Sequence, residues 1–414
     1  MTIYELFTKL RSSEYNISYL TGQGEDPWQE LLAFNPCDKY TYTRESGQNL
    51  KIEELERFIK KNQKLGHIIT GYFSYDMGYE IHRIKQTAKN DLKLPDIYLL
   101  AYDNYITLGK EGIDIKCTDP DYTKKIEAIK SRTANPPTKP SEDKNFKTVT
   151  SKEKYKENYE KIKSYITAGD IYQINLTHRM EGETTTPPRE LFTKILKSNP
   201  VEYLAYLEGD DFEILSASPE KFVKIEKRKI ETRPIKGTVP RGKNKEEELE
   251  YQAKLLSSTK EAAELNMITD LLRNDLGKIA KIGSVKVEST RALLKCPTVW
   301  HTYSKITATI DDKYSNLEAL ISMLPGGSIT GCPKKRAMEI IDELETTTRG
   351  VYTGIIGYID SKNTYEFNIA IRTIIKKEKK LYLQVGGGIV IDSKHKDEFQ
   401  ETLNKASSFM KILE

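Results

Sequence analysis

Apolar residues along this chain recur with two periods, and the changes of period mark its elements. From Lys51 to Lys64 the stripe Ile52, Leu55, Phe58, Ile59 predicts an amphipathic helix. Ser151 to Ala168 carries the same kind of stripe at Tyr155, Tyr159, Ile162 and Ile166. Its opening serine and early acid predict a capping box, and Gly169 ends it. Further helices are predicted over Tyr122–Lys130, over one long run Glu246–Asp275, over Pro333–Leu344 and over Lys396–Ile412. His67 to Glu80 reads as a strand and a glycine-bearing turn, and Asp170 to Arg179 as a strand. Phe222, Val223 and Ile225 make one strand of a hairpin, and Ile230, Thr232 and Ile235 the other. The basic run Lys227-Arg228-Lys229 belongs at its solvated tip. Such a hairpin brings Glu220 near Lys236, an acid and an amine at one end of a sheet.

Short strands interleaved with amphipathic helices place the chain among mixed α and β folds. The stretch 131–146 is Pro-rich and polar, so it reads as a linker or surface loop between residues 1–130 and 147–414. The early strands are nonetheless free to join sheets built later in the chain. The 414 residues hold 65 Lys and Arg against 61 Asp and Glu, and a net charge of +4 excludes a nucleic-acid partner as the default. No apolar run approaches the roughly 20 residues of a membrane span, and the charged start of the chain is unlike a secretory signal. Cys37, Cys117, Cys296 and Cys332 have no metal-ligand spacing, and a reducing compartment, the cytoplasm, is the expected setting.

Several patterns carry chemistry. Glu261 and Glu264 share a helix face, as do Glu398 and Glu401. Two E-x-x-E faces that converge would suit Mg²⁺, which takes few carboxylates and completes its shell with water and an anionic substrate. On a chain this charged, either face alone is ordinarily a solvated one. Leu324-Pro-Gly-Gly-Ser-Ile-Thr-Gly-Cys-Pro-Lys334 has the glycines of a phosphate loop, but Cys332-Pro333 stands where Lys-Ser/Thr would follow, which excludes a nucleotide loop. A glycine-rich turn feeding a helix N-terminus still favours an anion such as a carboxylate. Gly386-Gly387-Gly388 is either a bulge or turn, or a row of backbone N–H groups offered to a carboxylate. His301 alone is more often a packed histidine than a catalytic one.

The same stretches resemble the chorismate-utilising enzymes, a family that includes the component I subunits of anthranilate and aminodeoxychorismate synthases and the isochorismate and salicylate synthases. Pro234-Ile-Lys-Gly-Thr238 resembles the P-I-x-G-T segment. Glu264 to Gly277 resembles E-x-x-M-x-x-D-L-x-R-N-D-L-G, and Gly386 to Ala406 the family's tail. GDIYQINLTHR, PTVWH, the glycine turn (with Cys332 for the usual Ala), RGVYTG and, more weakly, GYFSYDMGYE also match, in the family's order. The resemblance is dense over residues 150–414 and weak before 110.

The resemblance implies an α+β fold: two largely antiparallel sheets packed face to face, helices outside, in four layers. It implies Lys236 as nucleophile, Glu220 as general acid and His301 near the substrate ring. It implies Mg²⁺ on Glu264 and Glu401, with Glu261 and Glu398 beside them. Thr238, Ser328 and Gly386–Gly388 would contact substrate, while Tyr352 and Arg372 would hold the enolpyruvyl carboxylate. Isochorismate-forming relatives place a Lys near Gln173 to activate water; an amide does not titrate, so water is disfavoured as nucleophile. Lysine at the variable position is typical of aminodeoxychorismate synthase component I, where anthranilate synthase usually has alanine. The implied activity is therefore chorismate plus ammonia to 4-amino-4-deoxychorismate, for para-aminobenzoate and folate, with anthranilate formation as the alternative. A non-catalytic tryptophan-binding or assembly protein on the same fold is the remote one. Lys236 attacks only as the neutral amine, for which burial or a cation such as Arg233 is expected. No G-x-C-x-G segment is present, so a separate glutamine amidotransferase is the expected ammonia source. Trp28 to Phe34 departs from the L-L-E-S segment of tryptophan-inhibited relatives, so that feedback is not expected.

Overall fold

Strands such as Leu31–Phe34, Ile68–Phe73, Ile97–Tyr102 and Tyr203–Glu208 are buried at nearly every position, as strands covered on both faces must be. They lie inside two large sheets in the computed structural model, which describes residues 2–10, 16–44, 50–109, 112–118, 120–133, 144–297 and 299–413. One sheet has 11 strands among the described residues and the other 10. Every strand pair in both is antiparallel.

Three apolar clusters show how the layers stack. Trp28, Tyr72, Tyr98, Tyr203 and Ile356 fill the space between the two sheets. Phe7, Phe192, Ile195 and Phe409 seal helices onto the outer face of the first sheet. Leu55, Phe58, Ile268, Leu272 and Ile341 do the same for the second. The result is helix, sheet, sheet, helix, the α+β arrangement the motifs imply. No helix among the described residues is long and apolar enough to cross a membrane.

The helix Ile52–Lys64 shows which force dominates. Its N-cap, Lys51, makes no side-chain capping bond, a loss of about 1 kcal/mol. Burial of Leu55, Phe58 and Ile59 contributes about 1.5–3 kcal/mol each and outweighs it. Strands from the first part of the chain are built into both sheets: Ile17–Thr21 pairs with Tyr203–Glu208, and Ile68–Phe73 with Ile355–Ile359. Residues 134–143 of the Pro-rich stretch lie outside the described residues.

Some sequence expectations need correction. The long helix over 246–275 is two helices, Lys245–Ser257 and Thr259–Gly277, and Ser258 between them caps the second by accepting from Glu261 N. Helical periodicity runs through such a break unseen, because one extended residue barely disturbs the phase. Ser151 caps the helix Lys152–Thr167 through Lys154 N, but that position holds a lysine, so there is no reciprocal capping box. In the hairpin Lys221–Glu226/Lys229–Arg233, both turn residues, Lys227 and Arg228, have positive φ, which suits the twist of a two-residue hairpin turn. Arg228 is not simply solvated: it donates to Asp311 O at 2.7 Å and to Asn316 Oδ1 at 3.3 Å.

Candidate active site

Two of the places where the chain crosses from one sheet to the other are neighbouring corners, and both carry predicted site residues. Strand Glu213–Ser218 belongs to the first sheet and Lys221–Glu226 to the second, with Glu220 at the crossing. Strand Tyr365–Ile369 returns to Thr373–Lys377 through Arg372. The corners are tied by backbone: Ile369 N donates to Glu220 O at 3.0 Å, and Ala217 N to Arg372 O at 2.9 Å. Arg372 sits at φ 51°, a left-handed conformation that disfavours a side chain and recurs at functional sites. Its guanidinium has no carboxylate partner among the described residues, so its charge is available to an anion. Tyr352 is buried in the loop whose next residue, Thr353, bonds through its N–H to Ala370 O.

Glu220 is 6% exposed and accepts from Ser328 Oγ at 2.7 Å. Burial pushes its carboxyl up to about 6, against the Ser328 hydroxyl, the Lys236 charge and the Ile235 backbone. Glu220 thus lies within the field of the Lys236 ammonium. Lys236 lies on strand Ile235–Pro240, paired with Val299–Thr309, and a bulge at Gly237 shifts the register from Lys236↔Thr302 to Thr238↔His301. Gly237 has φ 76°, and a Cβ there would stand 2.8 Å from Leu255 Cδ1 and 3.1 Å from Glu261 Oε2. Only glycine suits a position so turned and so crowded. Arg233, expected beside Lys236, instead engages Glu202 and lies over the Tyr303 ring at 5.3 Å.

His301 is buried, with Nδ1 within 2.9 Å of Thr238 Oγ1 and 3.2 Å of Gly237 O. Its Nε2 is buried without a partner among the described residues. Burial, helped by the Arg372 charge, pushes the imidazole down to about 4. It is a neutral ring at physiological pH, with one nitrogen anchored and the other open to a ligand.

Helix Thr259–Gly277 supplies Glu261 and Glu264, and helix His395–Leu413 supplies Glu398 and Glu401. Their fields overlap at Lys236, which bears on both Glu264 and Glu401. Burial pushes Glu264 up, with Glu261 and Glu401 adding and Lys236 opposing. Burial likewise raises Glu398, with Glu401 adding and Ser393 Oγ, 2.6 Å away, opposing. For Glu401 burial also works upward, but the Lys405 ammonium at 2.7 Å, joined by the charges of Lys236 and Lys260, holds the group low. Among the described residues no three such groups form a ready-made metal cluster. The oxygen-only donor set and its surplus negative charge fit a hard cation completed by water and an anionic ligand.

Gly386–Gly388 is neither bulge nor turn. It continues strand Lys380–Ile389, paired with Gln173–Glu183 as far as Ile389, while pairing with Thr373–Lys377 stops at Leu383. The sheet forks there, one edge of the glycine strand is released, and Arg372 sits where the ladder ends. A Cβ at Gly388 would stand 2.9 Å from Gln173 Nε2 and 3.7 Å from Lys236 Nζ, and one at Gly387 3.4 Å from Glu398 Oε2. The glycines thus let amine, amide and carboxylate approach a bare backbone. Gln173 Oε1 is buried and unpartnered in the same place.

Two contributors were not singled out from sequence. Lys405 joins Glu401 to Gly386 O, at 3.0 Å; the tail match over Gly386 to Ala406 contained it, one turn beyond Glu401. Arg349 is fully buried over the Tyr75 ring and ties Ile329 O, Asn175 O and Glu345 together. The R-G-x-Y-x-G match contained it, but nothing in a lone sequence says that one guanidinium serves three segments.

A buried carboxyl, a guanidinium with no carboxylate partner among the described residues and two acidic helix faces thus lie around one forked sheet corner, an arrangement suited to a small anionic ligand. The family model described as "chorismate binding enzyme" matches residues 18–411, and the chain belongs to that family. Aminodeoxychorismate synthase component 1 of Bacillus subtilis is 36% identical over 362 residues, 83% of this chain and 76% of that one. Anthranilate synthase component 1 of Aquifex aeolicus is 34% identical over 365 residues, 84% of this chain and 74% of that one. The crystal structure of anthranilate synthase component I from Streptococcus pneumoniae superimposes with a TM-score of 0.82 at 28% identity, covering 99% of this chain and 97% of that one. The protein is a chorismate-utilising enzyme of α+β fold.

Proposed function

We propose that this enzyme is aminodeoxychorismate synthase component I, which replaces the C4 hydroxyl of chorismate with ammonia. The observation that carries the reading is Lys236, an amine at the variable position of P-I-x-G-T, facing both Glu220 and the glycine strand. In this reading the open guanidinium of Arg372, with Tyr352, takes the enolpyruvyl carboxylate, and the bare N–H edge of Gly386–Gly388 and Thr238 hold the rest. Glu264 and Glu401, with Glu261 and Glu398 beside them, would hold Mg²⁺, which would supply electrostatic binding of the ring carboxylate.

Lys236 Nζ, as the free amine, forms a bond to C2 while the ring double bonds shift and the C4–O bond breaks. Hydroxide leaves poorly, so Glu220 gives its proton to that oxygen and water departs. Ammonia then bonds to C4, the double bonds shift back, and the C2–N pair returns to Lys236. The Glu220 carboxylate takes the extra proton from the new ammonium. Chorismate and ammonia become 4-amino-4-deoxychorismate and water, with both side chains restored. While lysine occupies C2, addition there is blocked, which directs ammonia to C4.

The test is incubation with chorismate, Mg²⁺ and ammonium, with product mass and fluorescence as readout. Aminodeoxychorismate is expected; fluorescent anthranilate with pyruvate would replace this reading by C2 amination. Lys236→Ala is expected to abolish C4 amination and to leave at most some C2 product. Glutamine is expected to replace ammonium only when a glutamine amidotransferase subunit is added.

A further inference from the structure

A buried ion pair holds the glycine turn against the helix that carries Glu261 and Glu264. Lys334 Nζ donates to Asp275 Oδ2 at 2.6 Å and to Met323 O at 3.1 Å. The two side chains are only 6% and 1% exposed. Asp275 lies in the last turn of Thr259–Gly277, and Met323 immediately precedes the turn. The other Asp275 oxygen takes Lys278 Nζ at 2.9 Å. Other titratable groups facing the pair are His82, whose Nε2 is 3.1 Å from Leu324 O, and Cys332. The turn is also pressed on the same helix at Gly327, where a Cβ would stand 2.6 Å from Leu271 Cδ2. Further along, Ser328 reaches Glu220, and the charged group that bears on Glu220 is Lys236.

Neither member of the pair touches the acid, the amine or the carboxylate faces. Burying two charges is a poor route to stability, since well-packed apolar side chains commonly do as well. A dry pair at this point does fix a distance: it locks the base of the Ser328 turn to the helix of the acidic face. We propose that Lys334 and Asp275 are positioning residues that set the Ser328–Glu220 contact relative to the Glu261/Glu264 face. The acid and the cation-binding face are thereby held in one frame. This rests on the reading of Glu220 as general acid.

The test uses the full chain with chorismate, Mg²⁺ and ammonium. Lys334→Met/Asp275→Leu removes both charges together, and Asp275→Asn keeps the shape with a weaker acceptor; Ser328→Ala and Glu220→Gln serve as references. The double variant is expected to melt near the parent, to keep KM for chorismate, and to lose about tenfold to a hundredfold in kcat, as a displaced acid would. Its pH–kcat profile should move toward that of Ser328→Ala, with Asp275→Asn between. A double variant with parental kcat and pH profile would overturn the proposal. So would failure of both pair variants to fold, or a kcat loss with an unmoved profile, since either makes the pair a stability element. Parental kcat in Glu220→Gln would instead overturn the acid reading itself, which keeps the two failures apart.

Discussion

Glu220 owes its proposed role to where the chain puts it. A carboxyl on a surface strand is ionised at neutral pH; at the sheet crossing, burial raises it to about 6, so a usable fraction still holds a proton. The Ser328 hydroxyl opposes that rise. An acid must be protonated to act, so kcat/KM is expected to fall as pH rises past about 6. Ser328→Ala removes an opposing contact and should move that limb to higher pH. A pH–rate profile of the two proteins checks this, and a limb that stays put would separate Ser328 from the acid. At this scale Glu220, Lys236, His301 and the four glutamates can be named from short motifs, and the structure places Lys236 within the field of Glu220, Glu264 and Glu401. Lys334, Asp275, Arg349 and Lys405 stood inside those motifs, but their work depends on partners distant in the chain.

Elements decide whether those residues meet. The hairpin 221–233 was legible because its two apolar runs bracket a charged turn, but its second strand ends at Arg233, and Ile235 and Lys236, expected in that strand, lie on the next one, Ile235–Pro240, paired with Val299–Thr309. The break at Ser258, the fork after Leu383 and the bulge at Gly237 were not legible, because each depends on what a neighbouring strand or helix does. Gly237→Ala tests the bulge. A left-handed φ costs a Cβ-bearing residue about 1–2 kcal/mol, and the new methyl would meet Leu255 and Glu261. Urea unfolding should show at least that loss, and turnover should fall more than stability because Lys236 and Thr238 are displaced together. Turnover equal to the parent's would mean the bulge does not aim them.

Across the whole molecule, the helix bearing Glu398 and Glu401 is fastened to the first sheet by His178. The ring stacks on Phe399 at 5.4 Å, and Nε2 lies 2.8 Å from Thr402 Oγ1. Burial pushes this imidazole down to about 4. In the unfolded chain it takes a proton near 6.5; in the fold, not until about 4. Its contribution is thus complete above about 6.5 and is lost as pH falls toward 4. His178→Gln should lose less stability than the parent between those two values, measured by urea midpoints at a series of pH. Equal slopes would show that the ring is not held neutral.

The two sheet crossings have a mechanical consequence. Backbone bonds join Glu220 to Ile369 and Arg372 to Ala217, so each corner is stitched to the strand that leads to the other. If thermal motion slides one sheet across its mate, the proposed proton donor and anion grip travel as a single seam, and their spacing outlasts distortions that would pull apart a pocket assembled from separate loops.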